Sequence, residues 1–160
     1  MLLCMATKTE PINSGVTIAQ PLKIRYRMEF RSITPEDYEP VRQFLAEVGW
    51  QHRVTDADKF RRMMEKTDRT VVAWDDSRVV GFARALCDGV SNGYISMVTV
   101  APDRRGQGIG RALVECLIED DPNITWVLRA GRGSGGFWKK LGFKASELAM
   151  ERVRTSTQEE

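Results

Sequence analysis

Hydrophobic and polar positions change period along the chain, and the changes mark its elements. Residues 29–33 alternate and suit a first strand. Thr34-Pro35-Glu36-Asp37 then reads as a helix start, with Thr34 as N-cap, Pro35 at the first helical position and two acids near the positive end of the dipole. Pro40 lacks the amide that would bond back to Glu36, so the pattern predicts a separate first turn and a main helix over 39–48 that buries Val41, Phe44, Leu45 and Val48. Gly49 ends that helix, residues 50–54 form a connection, and Thr55-Asp56-Ala57-Asp58 caps a second helix with Phe60, Met63 and Met64 on one face. Strands follow over 70–74 and 79–88, joined by a turn at Asp75-Asp76-Ser77-Arg78. A further turn over 89–93 delivers a strand over 94–100. Its alternation puts Tyr94, Ser96, Val98 and Val100 on one face and Ile95, Met97 and Thr99 on the other. Later come a strand over 124–128, a helix over 137–141 ended by Gly142, and a last strand over 148–153.

Between the strand over 94–100 and the next helix lies the most informative stretch. The run breaks at Ala101-Pro102 and passes glycines at 106, 108 and 110. It then enters an amphipathic helix in which Ile109, Ala112, Leu113, Cys116 and Leu117 recur at helical spacing. Glycine brings the backbone close to a ligand, and the amides that open a helix have no partner within it. With the positive end of the dipole and flanking Arg104, Arg105 and Arg111, the stretch suits a pyrophosphate. A tight turn is the competing reading of a lone G-x-G. A dinucleotide fingerprint from Gly106 would need glycine at 111, where Arg111 stands, and a Walker loop would need Gly-Lys-Ser/Thr. Gly131-Arg132-Gly133-Ser134-Gly135-Gly136 does satisfy G-x-G-x-x-G. Too little chain follows it for the second strand and acid that dinucleotide binding requires.

Composition narrows the classes. The 160 residues suit one domain; 29% charged and 42% hydrophobic is ordinary globular composition, and a net charge of +2 implies no polyanionic partner. Cys4, Cys87 and Cys116 lack C-x-x-C spacing and read as buried or free thiols in a reducing compartment, and His52 is the sole histidine, so no metal site is expected. No apolar run has membrane-spanning length, and a cytoplasmic location is expected. Residues 1–26 lack sustained periodicity and read as a flexible extension, with an irregular segment lying on the domain as the alternative; 27–154 read as the domain and 155–160 as a polar tail.

Arg105-Gly106-Gln107-Gly108-Ile109-Gly110 matches R/Q-x-x-G-x-G/A, and Phe137-Trp138-Lys139-Lys140-Leu141-Gly142-Phe143 is similar to F-Y-x-K-L-G-F at a family-like distance. With the order of elements, the chain over about 29–152 resembles the GNAT superfamily of N-acetyltransferases. The resemblance implies an α+β fold: a single domain with a central, mostly antiparallel mixed sheet of six to seven strands flanked by about four helices. It implies acetyl-coenzyme A as cosubstrate, no metal, and acetyl transfer to a primary amine of a small molecule or protein by direct attack in a ternary complex. A non-catalytic acyl-coenzyme A binding module is the alternative. Expected partners are the amine acceptor and a second copy in a homodimer, with neither nucleic acid nor membrane. The coenzyme would be held by Val98, Thr99 and Val100 of a strand that splays from its neighbour, and by Arg105, Gly106, Gln107, Gly108, Ile109, Gly110 and Arg111; a free amide near Val98 would also serve the carbonyl oxygen.

By the same resemblance Tyr94 and Ser96 fall where a base or an ordered water chain can stand. Neither is a strong base, so a water relay to a carboxylate such as Asp88 is the more physical version; simple packing is the alternative role. Trp50 and His52 fall where the family borders its acceptor pocket; core packing and a solvated loop are the alternatives. Trp138 stands where the family often has a tyrosine that protonates the departing thiolate. An indole N–H donates a hydrogen bond but is no usable acid.

Overall fold

The computed structural model describes residues 28–119 and 121–152. The expected extension over 1–26 and tail over 155–160 lie outside the described residues. The chain forms two compact units, one ending at Arg129 and one beginning at Ala130.

The first unit is built on five strands, β1 (Met28–Arg31), β2 (Arg69–Asp75), β3 (Arg78–Cys87), β4 (Asn92–Val100) and β5 (Thr125–Leu128), lying side by side in chain order. The first three pairings are antiparallel and β4 with β5 is parallel. This is the mixed, mostly antiparallel sheet of the expected α+β class, with five strands among the described residues where six to seven are expected. The strand expected over 148–153 does not form over 148–152. Leu148 and Met150 are 92% and 98% exposed, so their alternation has neither a pairing edge nor a covering layer.

β3 is buried continuously from Val79 to Ala85, as a strand covered on both faces must be. Helix α4 (Ile109–Ile118), described below with the loop before it, covers one face: Gly81 lies so near Leu113, Ile109 and Ala73 that a Cβ there would come within 2.9 Å of Leu113. Helices between β1 and β2 cover the other. They begin with a tight turn, Pro35–Asp37, behind Thr34, which satisfies the break expected before Pro40. Thr34 donates its N–H to Asp37 Oδ2 at 2.7 Å and its hydroxyl at 3.1 Å, while Arg31 Nη2 donates to Asp37 Oδ1 at 2.8 Å. Asp37 is thereby buried and paired, and its hydrogen bond from Arg31 holds the carboxyl below its ordinary range.

Helix α1 (Tyr38–Leu45) buries Val41, Phe44 and Leu45, then loosens over Ala46–Trp50, where Gly49 has φ of +96°. Only glycine takes that value freely, so the chain turns at Gly49, where the helix over 39–48 is expected to end, although regular α-helix gives way after Leu45. A single turn α2 (Gln51–Val54) follows, then α3 (Ala57–Glu65), whose N-cap Asp56 accepts from the Lys59 N–H at 2.8 Å. Phe60 and Met64 of α3 are buried.

Candidate active site

The site begins with an interruption in the sheet. β4 pairs with β5 only from Asn92 opposite Thr125 to Ile95 opposite Leu128, leaving Ser96 to Val100 without a strand on that edge among the described residues. At the same point β4 carries a bulge against β3: Ile95 faces Ala85 and Met97 faces Arg84, so Ser96 is an extra residue. The bulge corrects the expected faces. Cross-strand partners share a face, so Tyr94, Met97 and Thr99 lie with Leu86, Arg84 and Phe82, while Ile95, Val98 and Val100 lie on the α4 face with Ala85, Ala83 and Gly81.

Backbone direction follows from one bond. The Ala101 N–H donates to the Val80 carbonyl at 2.8 Å and therefore points at β3. Alternation turns the polar backbone of Thr99 the same way and that of Val98 and Val100 to the open edge. Consistent with this, the Val100 carbonyl accepts from Arg105 Nε at 3.3 Å. Of the three strand residues expected to offer backbone groups, Val98 and Val100 face the opening and Thr99 faces β3.

Beyond Val100 the turn Pro102–Arg104 leads into the glycine loop and α4. Two ion pairs from the β2–β3 hairpin fix this entry: Arg104 Nη2 to the buried carboxylate of Asp75 at 2.5 Å, and Arg78 Nη2 to Asp103 at 2.8 Å. The latter hydrogen bond holds Asp103 below the usual carboxylate range. Arg104, expected to flank a phosphate, is thus committed to Asp75. Arg111 pairs with Glu115 one turn on at 2.9 Å. Arg105 is exposed.

Gly106 and Gly108 have φ of +76° and +83°, and a Cβ on either would meet no atom within 4 Å. The loop is therefore left-handed by necessity and open above its backbone. The first helical bond runs from Ala112 N–H to the Gly108 carbonyl at 3.0 Å, so the amides of Ile109, Gly110 and Arg111 precede the ladder and are available to an anion. The Gln107 amide nitrogen of the side chain donates to the Asp103 carbonyl at 3.4 Å.

On the face of β4 away from α4, Tyr94 is half-buried beside the bulge residue Ser96. Arg84 is buried there, and neither hydrogen bond nor carboxylate reaches its guanidinium among the described residues. Burial lowers its pKa, the nearby charge of Arg53 lowers it further, and Tyr94 offsets part of this. Arg53, on α2, lies over the Trp50 ring at 5.3 Å from its centroid; Trp50 is half-buried and His52 exposed. Asp88 does not fit the relay. Its carboxylate accepts the N–H groups of Val90, Ser91 and Asn92 and the Ser91 hydroxyl, which holds its pKa far below the usual range and makes it a turn anchor, not a base.

In the second unit, α5 (Gly135–Lys140) ends at Leu141, and Gly142 follows with φ of +86°. Trp138 is buried, edge-on to Phe137 and Phe143 with centroids 5.0 and 5.3 Å away. Sequence reasoning missed Asp75, Arg78 and Arg84. For Arg84 a signal existed: one charge inside the apolar run over 79–87.

β4 outruns its shorter parallel partner β5 and leads into a glycine loop and an open helix start, an arrangement suited to a long ligand with an anionic end. The family model described as "Acetyltransferase (GNAT) domain" matches residues 34–156, and the chain belongs to that family. Among relatives, serotonin N-acetyltransferase 2, chloroplastic, of Oryza sativa subsp. japonica is 36% identical over 124 residues, covering 71% of this chain and 59% of that protein. The chain spans about a third of the next curated relatives. Among solved structures, a Trypanosoma brucei acetyltransferase has a TM-score of 0.64 at 24% identity, over 80% of this chain and all of that one. AAC(6')-Iy in complex with the bisubstrate analogue CoA-S-monomethyl-acetylneamine has a TM-score of 0.64 at 17% identity, over 81% and 99%.

Proposed function

We propose that this protein is an acetyl-coenzyme A-dependent N-acetyltransferase that acts on a primary amine of a small molecule or protein by direct attack in a ternary complex. The observation that carries the reading is that the pairing of β4 with β5 ends at Ile95, leaving the rest of β4 unpaired on that edge among the described residues as it leads into the glycine loop. A backbone edge suited to an amide-bearing arm runs straight into a helix start suited to a pyrophosphate. The residues fit such a ligand: Val98 and Val100 offer backbone groups at the open edge, and the amides from Gly106 to Arg111, beneath open space at Gly106 and Gly108, would take the phosphates.

When bound, acetyl-coenzyme A supplies an acetyl carbon already activated as a thioester. The protein's part is to hold and orient. The Val98 N–H offers a donor to an oxygen that gains negative charge. Tyr94 and Ser96 stand beside the bulge and can pass the amine's proton to water through their hydroxyls, since Asp88 is committed to its turn. In the family's usual position for an acidic tyrosine, Trp138 has no proton to give, and the departing thiolate must take its proton from water; a thiol pKa of about 8.5 makes that tolerable.

The same Trp138 supports a second reading, a non-catalytic acyl-coenzyme A module. Thiol detection across a panel of amines, amino acids and peptides separates the two. Release of coenzyme A that requires an amine supports the enzyme. Binding of acetyl-coenzyme A without release on any acceptor supports the module. Serotonin belongs in the panel because the rice relative carries it in its name.

A further inference from the structure

We propose that the acceptor bears an anionic group, a carboxylate or phosphate, a few bonds from its amine, and that the Arg84 guanidinium binds it. This rests on the reading of the site as an acetyltransferase centre and specifies its substrate class.

Arg84 is 6% exposed, in the middle of the central strand β3, where the residues flanking it along the strand are apolar. Buried guanidinium groups are normally paired, because an uncompensated charge out of water is costly. Here Nε is sealed without a hydrogen-bond partner, and among the described residues the charge that faces the group is Arg53 from α2, with the Tyr94 side chain of β4 beside it. No carboxylate of the described residues answers it. The second cation makes the surroundings more positive, not less. Filling space does not explain the choice, since methionine or leucine would pack there without the penalty. What remains is a donor set awaiting an acceptor that the described residues do not supply.

Register places this donor set at the reaction centre. Arg84 is the direct cross-strand partner of Met97, and Ser96 is the bulge residue beside it. The pairing of β4 with β5 ends one residue earlier, at Ile95. Directly opposed residues on one face have Cβ atoms about 5 Å apart. An anion on Arg84 is therefore separated from the opening by one cross-strand step, which suits an α-amino acid or a small amino phosphate. Guanidinium suits this task better than ammonium because it meets a carboxylate or phosphate with two parallel hydrogen bonds. Arg53, stacked on Trp50, adds a second positive charge at the exposed side of the same face.

The test uses matched amines with acetyl-coenzyme A and thiol detection. Tryptophan against tryptamine and lysine against cadaverine form the carboxylate arm; glucosamine 6-phosphate against glucosamine forms the phosphate arm. In at least one arm the anionic member should have a kcat/KM higher by about tenfold or more, the worth of a charge-assisted hydrogen bond. Arg84→Met should erase that preference, bringing kcat/KM of each anionic amine down to that of its neutral counterpart, and raise Tm by a few degrees, because a buried lone charge is removed. Arg84→Lys should keep a weakened preference and guards against a packing artefact of the methionine. Neutral amines favoured in every arm, or a preference that survives Arg84→Met, overturns the inference. Absence of release on all amines contradicts the acetyltransferase reading instead. Calorimetric titration of the same six amines in the presence of coenzyme A then decides: saturable binding of an anionic member that Arg84→Met abolishes supports the inference, and no binding overturns it.

Discussion

Replacing Gly108 by alanine separates backbone strain from ligand contact. Gly108 sits at φ of +83°, where a non-glycine residue costs about 1–2 kcal/mol, and its new methyl would meet no protein atom within 4 Å. The fold should therefore survive with Tm lower by about 3–8 °C. The methyl would project over the amides that open α4, where it would hold a phosphate oxygen away from at least one donor. Loss of a charge-assisted hydrogen bond costs about 1.5–3 kcal/mol, so the Kd for acetyl-coenzyme A should rise by at least about tenfold. Gly89→Ala is the matched control. Gly89 has φ of +73°, an equally empty Cβ position, and lies in the turn before β4, about 30 Å along that nine-residue strand from the loop. Calorimetric titration with acetyl-coenzyme A and thermal melts of both variants give the result. Equal loss of stability with loss of affinity in Gly108→Ala alone is expected. Unchanged affinity in a folded Gly108→Ala protein would refute the placement of the phosphates.

Three further outcomes follow from the geometry. Arg104→Met removes the partner of buried Asp75 and should cost about 2–3 kcal/mol in urea melts, the half-exposed side of the pair softening a fully buried loss. Asp37 has its folded pKa depressed below the ordinary 3.8, so its contribution is full above that value and fades as pH falls through the folded pKa; the stability gap between wild type and Asp37→Asn, measured in urea from pH 2 to 6, should be constant above about pH 5 and shrink below 4. Trp138→Phe keeps an aromatic ring against Phe137 and Phe143 and should leave the acetylation rate within a few-fold, whereas Trp138→Ala should lower stability by about 3–5 kcal/mol; a tenfold rate loss in a stable Trp138→Phe protein would assign the indole a direct part in the chemistry.

Local chemistry made the loop readable in advance. Three alternate glycines between a β-branched run and an amphipathic helix have few other uses, and Thr34-Pro35 and Asp56 mark helix starts by their side chains alone. The bulge at Ser96 carries no such mark. It arises from the register of β4 against β3, a competition between strands far apart in sequence, and it inverts the faces of Tyr94 and Val98 relative to strict alternation. Arg104 illustrates the same limit: beside glycines it reads as a phosphate ligand, yet a carboxylate 29 positions earlier claims it. Leu148 and Met150 alternate like a strand, but alternation stabilises nothing without an edge to pair with. Asp88 looked available as a base until its turn folded around it.

The decisive measurement is the mass spectrum of an amine recovered after incubation with acetyl-coenzyme A labelled in its acetyl group. Direct transfer predicts the label on the acceptor nitrogen, with one equivalent of free coenzyme A per product and no label on the protein. Label retained on Cys87 or Cys116 would replace direct attack by a covalent route, and coenzyme recovered intact with every amine, despite binding, would contradict catalysis.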